Sequence, residues 1–302
     1  MTKLDHIQLR HGLITPQSSS RSRVTAPDLD RILHRVADAR IVVLEEPADA
    51  RAALRARRAH ITRRLITEHG FNVVAVDSDW PDAARVDHYV RHAAYRAATP
   101  SPFTRGPVRL WRTAETRGAM DWLRGHNAGL NLAARIAVHG LDLYSHARAA
   151  HLALSHLKHH DRTAAAMARK RFTQLDQQTY ERLPLKLGIH EYSVLSALTA
   201  HLAQMRCAAE HDSTRFLDPA DSARLIENAG SMYRAMYYGL PECAAARDAH
   251  MLETLQTLLR YYGPDSKVIV WAQSNMQSEQ PTLSTLCAEA YGDMARRVSA
   301  AA

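Results

Sequence analysis

The sequence predicts an α/β fold with a central, mostly parallel sheet of about four strands, flanking helices and a large helical insertion or cap. Short apolar runs rich in Val and Ile occur at residues 40–45, 71–77, 134–142 and 266–273. Such runs are typical of parallel strands that are buried on both faces. The segments between the runs have helical periodicity, so each strand is followed by a crossover and not by a hairpin turn.

The first half of the chain divides into strand and helix units. A short helix capped by Asp28 precedes the first strand, and a long helix over residues 48–69 ends at Gly70, a residue that commonly closes helices. After the second strand, Pro81 indicates the first turn of another helix. Residues 96–110 contain three prolines and predict a loop before the next amphipathic helix.

The domain organisation follows from these elements. Residues 1–27 include a Ser-, Arg- and Pro-rich stretch, and we expect a loosely ordered leader there. We expect residues 28–302 to form one α/β domain. Between the third and fourth strands, residues 145–263 are almost entirely helical by periodicity, which predicts a helical cap over the sheet.

Composition excludes several classes of function. The chain has 39 Lys and Arg against 31 Asp and Glu, but its arginines are spread among acidic residues without a basic tract, which argues against a nucleic-acid partner. The sequence contains no run of eighteen apolar residues, so it predicts no membrane span, and the N-terminus lacks a signal-peptide pattern. The three cysteines form no C-x-x-C pair. We therefore expect a cytoplasmic protein without a cofactor.

Polar residues follow the predicted strands where a parallel sheet forms its ligand crevice. They are Glu45, Glu46, Asp49, Asp77, Asp79, Asp142, Gln273, Ser274 and Asn275. Clustered carboxylates raise one another's pKa and attract a cation, either a metal or an arginine. Arg51, Arg55 and Arg58 recur at helical spacing and could point toward the acids, although a salt-bridge network without chemistry would show the same pattern.

Several segments together resemble a known family in order and spacing. They read ARIVVLEEPADA, RRAHITRRLITEHGFNVVAVDSDWPDAARVDHYVR, DWLRGHN, GLDLYS, ARDAHMLETLQTLL and KVIVWAQSNM. Over about residues 28–295 the chain resembles the erythromycin esterase family. The resemblance implies the fold of a family in which some enzymes hydrolyse macrolide lactones. Many members of that family have no assigned substrate.

The family pattern is kept only in part. In the family, the first turn reads G-E-A-S/T-H-G, an Arg follows on the next helix, an acid ends the second strand, and the fourth strand ends in W-A-H-N-x-H. The resemblance places Glu46 at the family's Glu, Arg58 at its Arg and Asp77 at its second acid. Trp271 is also retained.

The family's three histidines are replaced. Asp49 stands at the histidine of the first turn, and Gln273 and Met276 stand at the two after the fourth strand. An ordinary carboxylate with a pKa near ~4 is a far weaker base at neutral pH than imidazole. Because loss of a general base typically costs about 10²- to 10⁴-fold in rate, we do not expect ordinary macrolide esterase activity.

Three hypotheses remain open. In the first, Glu46, Asp49 and Asp77 form a carboxylate cluster and Arg58 orients the substrate for cyclisation, dehydration or rearrangement of a polyketide- or peptide-type natural product. In the second, the protein is a pseudoenzyme that binds a ligand. In the third, it is a slow ester or lactone hydrolase with Asp49 as base. Exchange of histidine for aspartate beside retained partners favours the first.

Further residues are candidates for substrate contact or metal binding. His156, His159 and His160 have a spacing that can chelate zinc, but no matching fourth ligand follows, so we predict no metal site. A Tyr and Met stripe over residues 232–238 has the pattern of a helix core or of a pocket lining in the cap. We expect the substrate to contact Trp271, Gln273, Asn275, Asp142 and His250.

Overall fold

The computed structural model describes residues 26–47, 49–92, 101–103, 108–142, 243–274 and 281–299, with a few further positions between 158 and 169. The five strands are β1 Ile41–Pro47, β2 Val73–Asp79, β3 Ala137–Asp142, β4 Val268–Ser274 and β5 Ala295–Ser299. The α-helices are α1 Ala26–Val36, α2 Ala52–His69, α3 Trp80–Arg91, α4 Val108–Trp111, α5 Ala114–Ala128, α6 Cys243–Tyr262 and α7 Leu283–Tyr291.

The strands form one sheet in the order β3-β2-β4-β1-β5, and every described pairing is parallel. The predicted fold class is therefore confirmed, with one strand more than expected. The missed strand, β5, reads ARRVS and pairs with β1 at the edge of the sheet. An edge strand can carry exposed charged side chains, so it lacks the apolar run that marks the central strands.

Helices cover both faces of the sheet, and the alternating side chains of β1 separate two cores. Val42 and Leu44 point into the first core, which also contains apolar residues of α1, α2, α3 and α5. Ile41 and Val43 point into the second core, with apolar residues of α6 and α7. We call these sides the α2 face and the α6 face. The position of each polar residue along its strand therefore decides which helices it can reach.

Helix α2 confirms one predicted boundary and shifts the other. It ends at Gly70, whose φ of 71° is the left-handed conformation predicted for a closing glycine. It begins at Ala52 and not near residue 48, because Arg51 is extended and the amide of Ala50 donates to the carbonyl of Pro47 at 2.9 Å. The turn after β1 is consequently longer than the sequence indicated.

Gly140 allows β3 to pack directly against the end of β2 and the start of α3. A Cβ atom at this position would lie 2.6 Å from the carbonyl oxygen of Ser78 and 2.7 Å from Cα of Trp80. The pairing of β2 and β3 also shifts register between Val76 and Asp79. This close backbone approach brings Asp142 to the same end of the sheet as the acids of β2.

Helix α6 is the described end of the stretch predicted to be a cap. Met251, Leu255 and Leu258 are buried against the sheet on the α6 face, so this helix belongs to the layer that flanks the sheet. The remainder of the predicted cap, the leader and the Tyr and Met stripe lie almost wholly outside the described residues, and their roles stay predictions. No described helix combines the length and the apolar character that a membrane crossing requires.

Candidate functional site

The strand order defines where a ligand crevice lies. The chain leaves β1 through α2 toward β2 on one side of the sheet, whereas it leaves β4 through α7 toward β5 on the other side. Adjacent strands whose connections run in opposite directions leave a crevice beyond their carboxyl ends. In this sheet the crevice lies beyond β1 and β4, where Glu46 and Gln273 are paired in register.

A buried ion pair lies beneath this crevice on the α2 face. Nη1 of Arg58 is 2.7 Å from Oε2 of Glu46, and each of the two side chains is 6% exposed. The Arg58 guanidinium also lies 4.1 Å from the ring centroid of Trp271 and donates to Thr116. The Trp271 indole donates to Oγ1 of Thr62 at 3.0 Å. Arg58 is thus held by a carboxylate, an aromatic ring and a hydroxyl.

The second oxygen of Glu46 has no such support. Oε1 is buried and has no hydrogen-bond partner among the described residues. Burial raises the pKa of Glu46, and the positive charges of Arg58 and Arg55 offset this only in part. Burial likewise lowers the pKa of Arg58 to about 10, against the opposing charge of Glu46. The Glu46 carboxyl is therefore well suited to carry a proton or to accept a hydrogen bond from a ligand.

A second charged group lies on the α6 face. Nε of Arg247 in α6 is 2.8 Å from Oδ2 of Asp142, and its Nη2 donates to Oδ1 of Asp77. Oδ2 of Asp77 accepts from the backbone amide of Gln273 at 3.4 Å. Burial lowers the pKa of Arg247, but the two carboxylates outweigh it and the pKa is raised. The cation that these acids attract is an arginine of α6.

Asp248 lies next to this group. Burial raises the pKa of Asp248 to about 6; the positive charge of Arg247 and the backbone amide of Leu283 act against the rise, while the negative charges of Asp77 and Asp142 add to it. Because its pKa exceeds the ordinary value of 3.8, folded Asp248 binds a proton more readily than unfolded Asp248 does. This stabilisation is present below about pH 4 and is lost as the pH rises toward 6.

Replacement of Asp248 by Asn is expected to flatten the pH dependence of stability between pH 4 and pH 6. The wild-type melting temperature should fall over this range relative to that of Asp248→Asn, since only the wild type must ionise the half-buried carboxyl. Thermal melts at half-unit pH intervals measure the difference. Asp265→Asn, in an exposed turn, is the matched control and should keep the wild-type profile. Identical profiles for wild type and Asp248→Asn would contradict the assignment.

The structure divides the predicted catalytic residues into separate places. Glu46 and Arg58 meet as predicted. Asp77 contacts Arg247 from the other helix layer, so it does not share the Arg58 ion pair. Asp49 is exposed in the turn after β1. The single carboxylate cluster around Arg58 is therefore replaced by two ion-pair groups, because the pleat of the sheet directs Glu46 and Asp77 to opposite faces.

The predicted substrate contacts are also placed differently from one another. Gln273 is exposed at the carboxyl end of β4, whereas Trp271 is 1% exposed and lies beneath Arg58. Asp142 accepts a hydrogen bond from Arg247, and His250 is buried on α6. Asn275 lies outside the described residues.

Three further polar contacts lie near the strands. Arg55 is 3.4 Å from Glu115 of α5, and Glu45 on the α6 face pairs with Arg297 of β5 at 2.7 Å. Nε2 of His139 lies 2.8 Å from the Tyr262 hydroxyl, and burial lowers the pKa of His139 to about 3, so this imidazole is neutral and structural.

The role of Arg247 is the main feature that sequence reasoning missed. In the sequence, Arg247 lies in the segment ARDAHMLETLQTLL, which contributes to the family resemblance and contains the predicted substrate contact His250. Its position one turn inside an amphipathic helix was the available signal. Within the described ranges, no group of three or more His, Cys, Asp or Glu side chains is arranged to hold a metal ion.

The fold and the site together define an α/β protein with charged ion pairs at the carboxyl ends of a parallel sheet. The chain belongs to the erythromycin esterase family, whose model matches residues 66–301. The match begins after Glu46, Asp49 and Arg58, so it does not include these three residues.

Solved structures share this fold at low sequence identity. A protein from Bacillus cereus superimposes with a TM-score of 0.73 at 20% identity, covering 92% of this chain and 69% of its own. A succinoglycan biosynthesis protein gives a TM-score of 0.71 at 16% identity, with the same coverages of 92% and 69%. A histidine-to-asparagine variant of erythromycin esterase EreC in its open conformation gives 0.65 at 16% identity, covering 92% of this chain and 73% of its own.

Proposed function

We propose that this protein is an enzyme of natural-product metabolism that performs acid/base chemistry on a polyketide- or peptide-type small molecule in the crevice beyond β1 and β4. The reaction class is cyclisation, dehydration or rearrangement and not histidine-based lactone hydrolysis. The observation that carries the proposal is the Glu46 carboxyl at the switch point, with one oxygen held by Arg58 and the other buried without a hydrogen-bond partner among the residues that the structure describes.

Each residue of the Glu46 and Arg58 pair has a chemical role in this proposal. Burial raises the pKa of Glu46, which favours the protonated carboxyl, and a protonated carboxyl can donate to a substrate carbonyl or leaving hydroxyl. Arg58 is a positioning residue that holds the resulting carboxylate in place and stabilises its charge. Asp49, which is exposed in the turn after β1, offers a second carboxylate to a substrate that enters from solvent.

The comparisons support the family part of this proposal, and the site chemistry supports the departure from hydrolysis. By resemblance to the erythromycin esterase family, Asp49 and Gln273 stand at positions that hold histidines in the family. An imidazole is the base that would activate water for hydrolysis. Arg247 forms ion pairs with both Asp77 and Asp142, so these acids are poorly suited to act as free bases. Erythromycin should therefore pass through an incubation with the purified protein without lactone cleavage.

A non-catalytic binding protein is the second candidate function. It is favoured by the division of the carboxylates between two arginines, since acids bound in ion pairs serve a scaffold equally well. Both candidates use the same crevice. They differ in whether a bound molecule leaves chemically changed.

Comparison of wild type with Glu46→Gln tests the proposal. Each purified protein is incubated with a small-molecule extract of the source organism, and product masses are followed by liquid chromatography and mass spectrometry. We expect a product whose rate of formation falls at least about 100-fold in Glu46→Gln. Glu68→Gln, on the exposed surface of α2, is the matched control and should retain the wild-type rate. Retention of extract molecules by both wild type and Glu46→Gln without conversion would favour the binding protein.

A further inference from the structure

A cavity of about 680 Å³ lies apart from the crevice, at the β5 edge of the sheet. Its walls come from α1, from Arg57 of α2 and from β5. The volume is in the range of pockets that hold small organic ligands. The crevice residues Glu46 and Arg58 are not part of its lining.

The charge of the cavity wall is strongly one-sided. Asp28 is its acidic lining residue, whereas the basic lining residues are Arg31, Arg35, Arg57, Arg296 and Arg297. The Arg297 guanidinium is paired with Glu45 on the α6 face, so the basic groups of the cavity are Arg31, Arg35, Arg57 and Arg296. These guanidinium groups raise the local concentration of anions and steer them into the cavity.

The acids near the cavity neutralise its arginines only in part. Asp28 lies 3.7 Å from Arg31, and Asp293, which is 98% exposed, lies 3.0 Å from Arg296. Arg297 is paired with the buried Glu45. Arg31, Arg296 and Arg297 thus each form an ion pair with one acid. Arg35 has no ion pair with any residue that the structure describes.

The remaining lining indicates a ligand that is more than a simple ion. Ile32, Val36 and Val298 contribute apolar surface beside the arginines. Arg57 is 8% exposed, and burial lowers its pKa while the charge of Asp28 acts in the opposite direction. A guanidinium can bind a phosphate or carboxylate through two parallel hydrogen bonds, and the apolar wall can cover an organic body.

We propose that this cavity binds a small organic polyanion, with its phosphate or carboxylate groups on Arg35, Arg57 and Arg296 and its apolar part against Ile32, Val36 and Val298. The site is independent of the proposed acid/base function, because it lies on different residues and requires no catalysis. It adds a binding activity of its own to the esterase-like domain.

Isothermal titration of the purified protein with ADP and with citrate tests this proposal and separates a phosphate source from a carboxylate source. The buffer is held at about 0.15 M ionic strength with NaCl, so that general screening is constant. Saturable binding of either probe is expected, and the Arg35→Gln/Arg296→Gln double variant should weaken it about 10- to 100-fold. Both substitutions are on side chains with solvent exposure, and a melt verifies that the variant is folded.

Arg85→Gln on α3 removes one positive charge outside the cavity, against two in the double variant, and is the control for loss of an arginine elsewhere on the protein. It should bind the probe as the wild type does. Failure of both probes to bind below about 1 mM, or equal affinities of the double variant and Arg85→Gln, would overturn the proposal. Neither result depends on turnover, so it leaves the Glu46 experiment untouched.

Discussion

Replacement of Arg58 by Met is expected to lower the free energy of unfolding by about 3–5 kcal/mol. The substitution leaves Glu46 buried without its cation, and one Glu46 oxygen already has no hydrogen-bond partner in the described part of the chain. It also removes the cation from the face of Trp271. Urea unfolding followed by circular dichroism measures the loss, with the slope checked for constancy so that the midpoints report stability.

Two further variants show whether the loss comes from the stranded charge. Arg64→Met removes an arginine from the same helix, but its ion pairs with Asp30 and Glu68 are largely exposed, and the variant should unfold close to the wild-type midpoint. Glu46→Met/Arg58→Met removes both buried charges and should regain most of the lost stability. A double variant no more stable than Arg58→Met would mean that packing, and not the unpaired carboxylate, dominates.

Replacement of Arg247 by Met should cost about 3 kcal/mol in the free energy of unfolding. Asp142 is 1% exposed and Asp77 is 8% exposed at the side chain, and both lose their shared cation. Arg247 is itself 35% exposed, so solvent compensates part of the loss, and we place the cost at the lower end of the range for buried pairs. Removal of its charge also frees the pKa of Asp248 to rise further, which makes the loss larger at neutral than at acidic pH.

A double-mutant cycle with Asp77→Asn isolates the coupling at this group. In the Arg247→Met background, Asp77→Asn removes one stranded charge and should cost less than in the wild type, or even restore stability. Arg260→Met on the exposed side of α6 is the matched control for loss of an arginine from this helix and should be nearly neutral. Equal effects of Asp77→Asn in both backgrounds would rule out the bridging role of Arg247.

The two charged groups give the acids at the strand ends a structural role. Glu46 with Arg58 and Asp77 with Arg247 each tie a strand end to a helix of a different layer. They therefore hold the carboxyl ends of β1 and β2 to α2 and α6. Under the proposed function, the acid at the switch point performs chemistry while the Arg247 group maintains the frame around it.

Most of the fold could be predicted because the central strands have to be apolar on both faces. β1, β2, β3 and β4 all lie within or at the edges of the predicted runs, with boundaries shifted by a few residues. β5 could not be found in this way, since its place at the edge removes the need for a continuous apolar run. The closure of α2 at Gly70 was predictable because the left-handed conformation favours glycine locally.

The residue types of the candidate site and the pairing of Glu46 with Arg58 were predictable, but the partner of Asp77 was not. The acids at the strand ends and Arg58 were identified, yet Arg247 is separated from Asp77 by 170 residues along the chain. Nothing local relates two such positions. Side chains alternate along β2, so Asp77 points to the same face as Ala75, and Val76 points to the other. Arg247 reaches Asp77 because α6 packs on the face of Asp77 and Ala75.

The sequence by itself determined the strand cores, the helix periodicity and the collection of carboxylates at one end of a parallel sheet. These properties depend on residues close together in the chain, on hydrophobic patterning and on backbone preferences. Only the tertiary structure decided that Glu46 and Asp77 serve different ion pairs and that arginines of α1, α2 and β5 surround one cavity. The reason is physical: strand order and the parity of the pleat set which helices a side chain meets, and both arise from long-range packing.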